Sequence, residues 1–129
     1  MRLQREAVLI PTHMPPPYAG WIGRCRGALT RAVALGQVPD STDVPFESRM
    51  LVAQYAGVRE IATALNDHDG YVERTTIGTL DRFRAMGASE DAVAHAAARA
   101  ATAIRETGLA GADRIGRRYL GSVVTACTR

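Results

Sequence analysis

Ser89-Glu90-Asp91-Ala92-Val93-Ala94-His95-Ala96-Ala97-Ala98-Arg99-Ala100-Ala101-Thr102-Ala103-Ile104-Arg105-Glu106-Thr107-Gly108 reads as one helix from cap to stop. Ser89 supplies a side-chain acceptor for the free amides of a first turn, and Glu90 and Asp91 place carboxylates at the positive end of the helix dipole. Gly108 can take the left-handed backbone that ends a helix. The pattern predicts a helix over residues 90–107. Its inward face, Val93, Ala96, Ala97, Ala100 and Ile104, is mostly methyl groups, which lets a neighbouring backbone approach closely.

Working outward toward the C-terminus, Gly108 and Gly111 bracket a short link, and Ile115, Tyr119, Val123 and Ala126 recur at helical spacing, which predicts a further helix ending near Arg129. Working toward the N-terminus, Ile77, Leu80, Phe83 and Met86 mark a helix that Thr75 or Thr76 caps and Gly87 ends, preceded by the polar turn Asn66-Asp67-His68-Asp69-Gly70. Pro45 suits a first helical turn, and a long helix follows to about Asn66. Its apolar set, Phe46, Met50, Ala53, Gly57, Val58, Ile61, Ala62 and Leu65, forms a stripe expected to face the core, with Gly57 as its weak point. Ile22, Cys25, Leu29, Ala32 and Val33 predict a first helix over residues 21–35, stopped by Gly36. Before it, residues 7–10 are briefly β-prone, and Pro11, Pro15, Pro16 and Pro17 allow neither helix nor ladder to continue, so residues 1–20 read as an arm. The expectation is an all-α, single-domain bundle of about five helices over residues 1–129, with a proline-rich N-terminal arm (1–20) and a helical core (21–129).

Composition agrees with one such domain. The chain has 129 residues, 47% of them apolar and only 5% aromatic, enough to bury roughly two-thirds of its unfolded surface without a disulfide or a metal. All sixteen basic residues are Arg. An Arg-only, Ala-rich chain is what a GC-rich coding bias produces, so arginine content alone is no argument for a nucleic-acid partner. Charge is segregated: residues 1–36 hold five Arg against one acid, 37–95 five against ten, and 96–129 six against two. Basic ends and an acidic middle permit the ends to dock on the middle, within one subunit or between two. Cys25 and Cys127 are too few for a disulfide framework and lack zinc-ligand spacing. The apolar run at residues 7–10 is too short for a signal sequence, and no stretch approaches the roughly 18 apolar residues of a membrane span. A cytoplasmic protein without a membrane partner is expected.

Three motifs bear on chemistry. The stretches Val58-Arg59-Glu60-Ile61-Ala62-Thr63-Ala64-Leu65 and Arg74-Thr75-Thr76-Ile77-Gly78-Thr79-Leu80-Asp81-Arg82-Phe83-Arg84 resemble the second and third helices of helix-turn-helix regulators. A recognition helix carries hydroxyls and arginines that reach base edges and phosphates, and an apolar face that anchors it. The resemblance therefore implies a nucleic-acid-binding set of Arg74, Thr75, Thr76, Thr79 and Arg82, assisted by the basic cluster Arg114, Arg117 and Arg118. The doublet His68-Asp69 behind an apolar helix, with a later Asp113, is similar to the pattern of HD phosphohydrolases. That similarity implies a metal set of His68, Asp69 and Asp113 and a water activated against a phosphoester. The early His of that pattern is missing from residues 45–66, and His13 lies in the arm. The turn also matches part of an EF-hand loop at Asp67, Asp69, Gly70 and Val72. Positions one and twelve would be Leu65 and Thr76, which excludes calcium for want of carboxylates. Pro15-Pro16-Pro17-Tyr18 beside Trp21 reads as a short polyproline segment packing on the protein itself.

Nucleophile-elbow, P-loop and dinucleotide fingerprints are absent, so no covalent catalysis and no cofactor is expected. The reading is a small non-catalytic helical binding or regulatory protein. Its most concrete form is a helix-turn-helix-like regulator of DNA, a homodimer through the alanine-rich helix or the oppositely charged ends. The alternatives are an HD-like metal-dependent phosphohydrolase or a degenerate relative of one, and a protein–protein interaction module.

Overall fold

A computed structural model describes residues 17–121. They form α1 (Pro17–Ala34), α2 (Val44–Ala64), α3 (Tyr71–Ala85), α4 (Glu90–Glu106) and α5 (Ala112–Tyr119), with no strand among the described residues. The chain is the all-α bundle that the periodicity predicts. None of these helices is long and apolar enough to cross a membrane. Residues 1–16 of the expected arm lie outside the described residues, and so do Val123, Ala126 and Cys127 of the expected last helix.

The helix ends follow local chemistry. Ser89 Oγ accepts from Ala92 N at 3.1 Å, as its position before Glu90 implies. Asp43 does the same for α2, accepting from Phe46 N at 3.1 Å ahead of Pro45. At the far end of α2, Asn66 takes φ +50°, the one left-handed non-glycine among the described residues. The amides of Asn66 and Asp67 close back onto Thr63 and Ala62 at 3.2 and 2.9 Å, which satisfies two of the last carbonyls. Gly87 closes α3 in the same way.

Two starts differ from expectation. Residues 17–20, assigned to the arm, are the first turn of α1, because proline at a first helical position loses no hydrogen bond. Pro17 and Tyr18 are thus helical rather than polyproline. Helix α3 begins at Tyr71, four residues before the predicted cap, with Gly70 at φ +74° before it. Thr76 Oγ1 bonds back to the Val72 carbonyl at 2.7 Å, a bond made inside a helix and not at its start.

The core lies where α3, α4 and α5 meet. Val93, Ala97, Ala101 and Ile104 of α4 close on Ala112, Ile115 and Tyr119 of α5, with Leu80 of α3 and Val38 and Ala88 from the loops. The alanine-rich face of α4 is therefore covered within the protomer, and Gly116 of α5 is buried as well. Helix α3 is central, packing on α2, α4 and α5, while α1 packs on α2. Gly111 has no room for a side chain, since a Cβ there would lie 2.7 Å from the Cβ of Glu73. The basic C-terminal segment docks on the acidic middle of the same subunit. Arg118 Nη2 meets Asp81 Oδ2 at 2.6 Å, and Arg114 Nη1 lies 2.9 Å from Glu73 Oε1. The latter contact is ionic only, since Glu73 Oε1 is buried without a hydrogen-bond donor.

The predicted stripe of α2 requires correction. Phe46, Met50, Ile61 and Leu65 are 52, 37, 61 and 70% exposed, and the residues α2 buries are Ser48, Val52 and Ala62. Helix α2 has a second apolar-to-small face, Ser48-Val52-Tyr55-Ala62, and α1 and α3 pack on that one. Ser48 is fully buried at no polar cost because its hydroxyl donates to the Val44 carbonyl at 2.6 Å.

Candidate ligand pocket

The face of α2 turned toward its neighbours creates a cleft of about 400 Å³ between α1, α2 and α3, within the range of small-molecule sites. Each helix contributes a pair one turn apart: Trp21 and Cys25 from α1, Leu51 and Tyr55 from α2, Thr75 and Thr79 from α3, with Val52 and Arg24 completing the lining. Residues four apart share a helix face, so three amphipathic helices necessarily present such pairs to a common space. Helix α3 comes close to α2 at Gly78, where a Cβ would displace the side-chain amide of Gln54.

Trp21 and Tyr55, both in the lining, are the middle members of a row of aromatic rings. Tyr18 and Trp21 meet edge to face at 5.4 Å, Trp21 and Tyr55 at 5.4 Å and 89°, and Tyr55 and Tyr71 at 6.1 Å. Four of the chain's seven aromatic side chains stand in this row. In a chain so poor in aromatics, that concentration distinguishes this place from ordinary packing. Burial, then the Tyr55 hydroxyl beside it, pushes Tyr71 up to about 12 from 10.0, so the Tyr71 phenol stays protonated at neutral pH.

The polar groups are few. Thr75 Oγ1 is buried with no hydrogen-bond partner, while Thr79 Oγ1 donates to the Thr75 carbonyl at 2.9 Å. Arg24 is exposed at the edge and has no carboxylate partner among the described residues. Burial raises the pKa of the Cys25 thiol above its ordinary 9.0, which keeps it out of the nucleophilic thiolate form.

The residues singled out from the sequence take other places. Arg74 pairs with Asp67 at 3.3 Å and donates to the carbonyls of Asp67 and Asp69. Arg82 Nε meets Glu47 Oε2 at 2.7 Å and stands over the Phe46 ring. Arg118 and Arg114 hold Asp81 and Glu73, and Thr76 and Thr79 bond back to carbonyls within their helix, so among the described residues Thr75 and the exposed Arg117 are the members of the set whose side chains have no partner. His68, Asp69 and Asp113 are exposed and stand apart. Asp113 faces Arg105 at 4.0 Å, and among the described residues no three His, Cys, Asp or Glu side chains gather as a metal ion requires.

Sequence reasoning took Thr75 and Thr79 for a different role and passed over Trp21, Arg24, Cys25, Leu51 and Tyr55 as a group. The signal available was the recurrence of i, i+4 pairs containing an aromatic on both α1 and α2. No protein-family model matches the chain, and neither does any curated protein or solved structure.

Proposed function

We propose that the protein is a small, non-catalytic helical binding module whose ligand is an organic anion with a flat apolar body, seated in the cleft between α1, α2 and α3. The observation that carries this reading is the cleft itself, lined by Trp21 and Tyr55, with a Thr75 hydroxyl and an exposed Arg24 guanidinium that have no partner among the described residues. Apolar walls remove a flat ligand from water, and a few convergent polar groups fix its orientation. Thr75 offers a hydroxyl that no group among the described residues engages, and Arg24 supplies the charge-assisted contact that an anionic substituent needs.

The lining supports a binding role. Among the described residues it presents no carboxylate or imidazole, and burial raises the pKa of its thiol, Cys25. A nucleic-acid partner engaging α3 draws less support, because Arg74, Arg82, Arg114 and Arg118 already face carboxylates.

Trp21 is the only tryptophan, so it reports on the cleft directly. Titration of the full chain with 1-anilinonaphthalene-8-sulfonate, an aromatic anion, is expected to change Trp21 emission saturably at one dye per chain. Arg24→Glu should weaken that binding about tenfold, and Cys25→Phe should block it by filling the space. Unchanged Trp21 emission, or equal dye affinity in both variants, refutes the assignment.

A further inference from the structure

The face of α2 turned away from the cleft carries Phe46, Met50, Ala53, Gly57, Ile61 and Leu65, recurring every three or four residues over five turns. Four large side chains on this one stripe are exposed, at 52, 37, 61 and 70%. A continuous apolar stripe of this kind is unusual on an isolated domain, whereas scattered single hydrophobics are ordinary.

Two further features say what covers it. Gly57 sits at helical backbone angles in the middle of a 21-residue helix, and a Cβ there would meet nothing within 4 Å. Neither strain nor packing inside the protomer calls for glycine, which costs roughly 1 kcal/mol relative to alanine in a helix interior. With Ala53 one turn before it, Gly57 leaves a shallow place where a second helix backbone fits closely. The stripe is also symmetric about a midpoint between Tyr55 and Ala56: Phe46 and Leu65 are equidistant from it, and so are Met50 and Ile61.

Charge supplies the rest. Arg49 and Glu60 are exposed and have no ion-pair partner among the described residues. They stand three turns and about 20° apart, so both flank the stripe on the same edge. A two-fold axis through the midpoint and perpendicular to α2 lays two copies antiparallel and keeps that edge on one side. It brings Arg49 within about two residues of axial rise, roughly 3 Å, of Glu60 of the partner subunit, and the reverse pair forms at the other end. The same operation brings Phe46 level with Leu65 of the partner subunit along the helix axis, and Met50 level with Ile61 of the partner subunit.

We infer that α2 is a self-association surface on which a second copy of this chain packs antiparallel, centred on Ala53 and Gly57 and closed at each end by an Arg49–Glu60 pair between subunits. The cleft wall of Leu51, Val52 and Tyr55 lies on the opposite face of α2, so the interface and the ligand site are independent.

Sedimentation equilibrium of the full chain, from micromolar to near-millimolar concentration, tests this. The expected species has twice the 13.9 kDa of the chain. Met50→Glu and Gly57→Leu should each yield a monomer whose helical circular dichroism is unchanged, since neither position is buried within the protomer. Arg49→Glu and Glu60→Arg should each weaken association about tenfold by opposing like charges, and the double exchange should restore it. A 13.9 kDa monomer at every concentration overturns the inference. So does a dimer that survives Met50→Glu, or one whose charge exchange fails to rescue.

Discussion

Thr75→Val should stabilise the protein, which is unusual for a substitution that removes a polar group from a candidate site. Thr75 Oγ1 is buried and unpartnered, so the fold has stripped water from a hydroxyl and returned nothing. That penalty is about 1–3 kcal/mol for a neutral group. The residue as a whole is only partly buried and faces a cleft, which places the effect at the low end. Valine has the same branched shape and adds a buried methyl worth about 0.8 kcal/mol at most. The net gain is about 1 kcal/mol, or roughly 4 °C in melting midpoint for a domain near 100 residues. Thr79→Val is the matched control. Its hydroxyl is exposed and bonded to the Thr75 carbonyl, so it should move stability by no more than about 0.5 kcal/mol. Thermal melting of both variants without ligand, followed by titration with the aromatic anion, gives two readings of opposite sign: Thr75→Val melts higher and binds more weakly. A lower midpoint for Thr75→Val, or one equal to that of Thr79→Val, refutes the claim that this hydroxyl is orphaned in the fold and available to a ligand.

The α3 arginines separate in stability by burial. Arg82→Ala leaves Glu47, whose side chain is 16% exposed, without its partner and should cost about 1–3 kcal/mol in urea denaturation, whereas Arg74→Ala breaks an open pair of 47 and 50% exposed side chains and should cost about 0.5 kcal/mol or less. If the same arginines served a DNA duplex instead, binding would fall steeply with salt and fall again in both variants, and gel-shift titration measures that directly. Stability should also respond to acid through Asp81, whose carboxyl the Arg118 guanidinium holds below the ordinary 3.8 against the opposing effect of burial, with a lesser contribution from the Tyr119 hydroxyl. A carboxyl that ionises more readily when folded stabilises the protein above 3.8 and loses this as pH falls toward its folded value. Asp81→Asn should therefore be less stable near about pH 7 and show a shallower loss between about pH 5 and about pH 2 than the parent chain.

Most of the fold was legible because it depends on interactions within a few residues. Ser89 before Glu90 and Asp91, Gly36 and Gly87 at helix ends, and Pro45 in a first turn act on backbone groups next to them, and each sits where the pattern put it. The two displaced starts share a cause. Pro17 and the Gly70 turn permit a helix without demanding one, and each start stands beside a ring that meets Tyr55 of α2, Trp21 near the head of α1 and Tyr71 at the head of α3. That information is tertiary and has no local signature.

The face of α2 shows where periodicity stops being informative. A helix with one apolar stripe has one orientation, but α2 has two: a stripe of large side chains through Phe46, Met50, Ile61 and Leu65, and a mixed one through Ser48, Val52, Tyr55 and Ala62. Hydrophobicity alone favours burying the first. Packing favours the second, because α1 and α3 both lie against α2, and a face carrying serine, valine and alanine lets two neighbours approach where leucine and phenylalanine would hold them apart. That choice turns Leu51 and Tyr55 inward to make the cleft and leaves the larger stripe facing out. The candidate ligand site and the self-association surface are thus two consequences of one packing decision. Overfilling the inner face at its fully buried Ser48, as in Ser48→Leu, should reverse that choice and disturb both, with loss of dye binding together with loss of dimer, whereas Cys25→Phe in the cleft or Met50→Glu on the outer stripe removes one and spares the other.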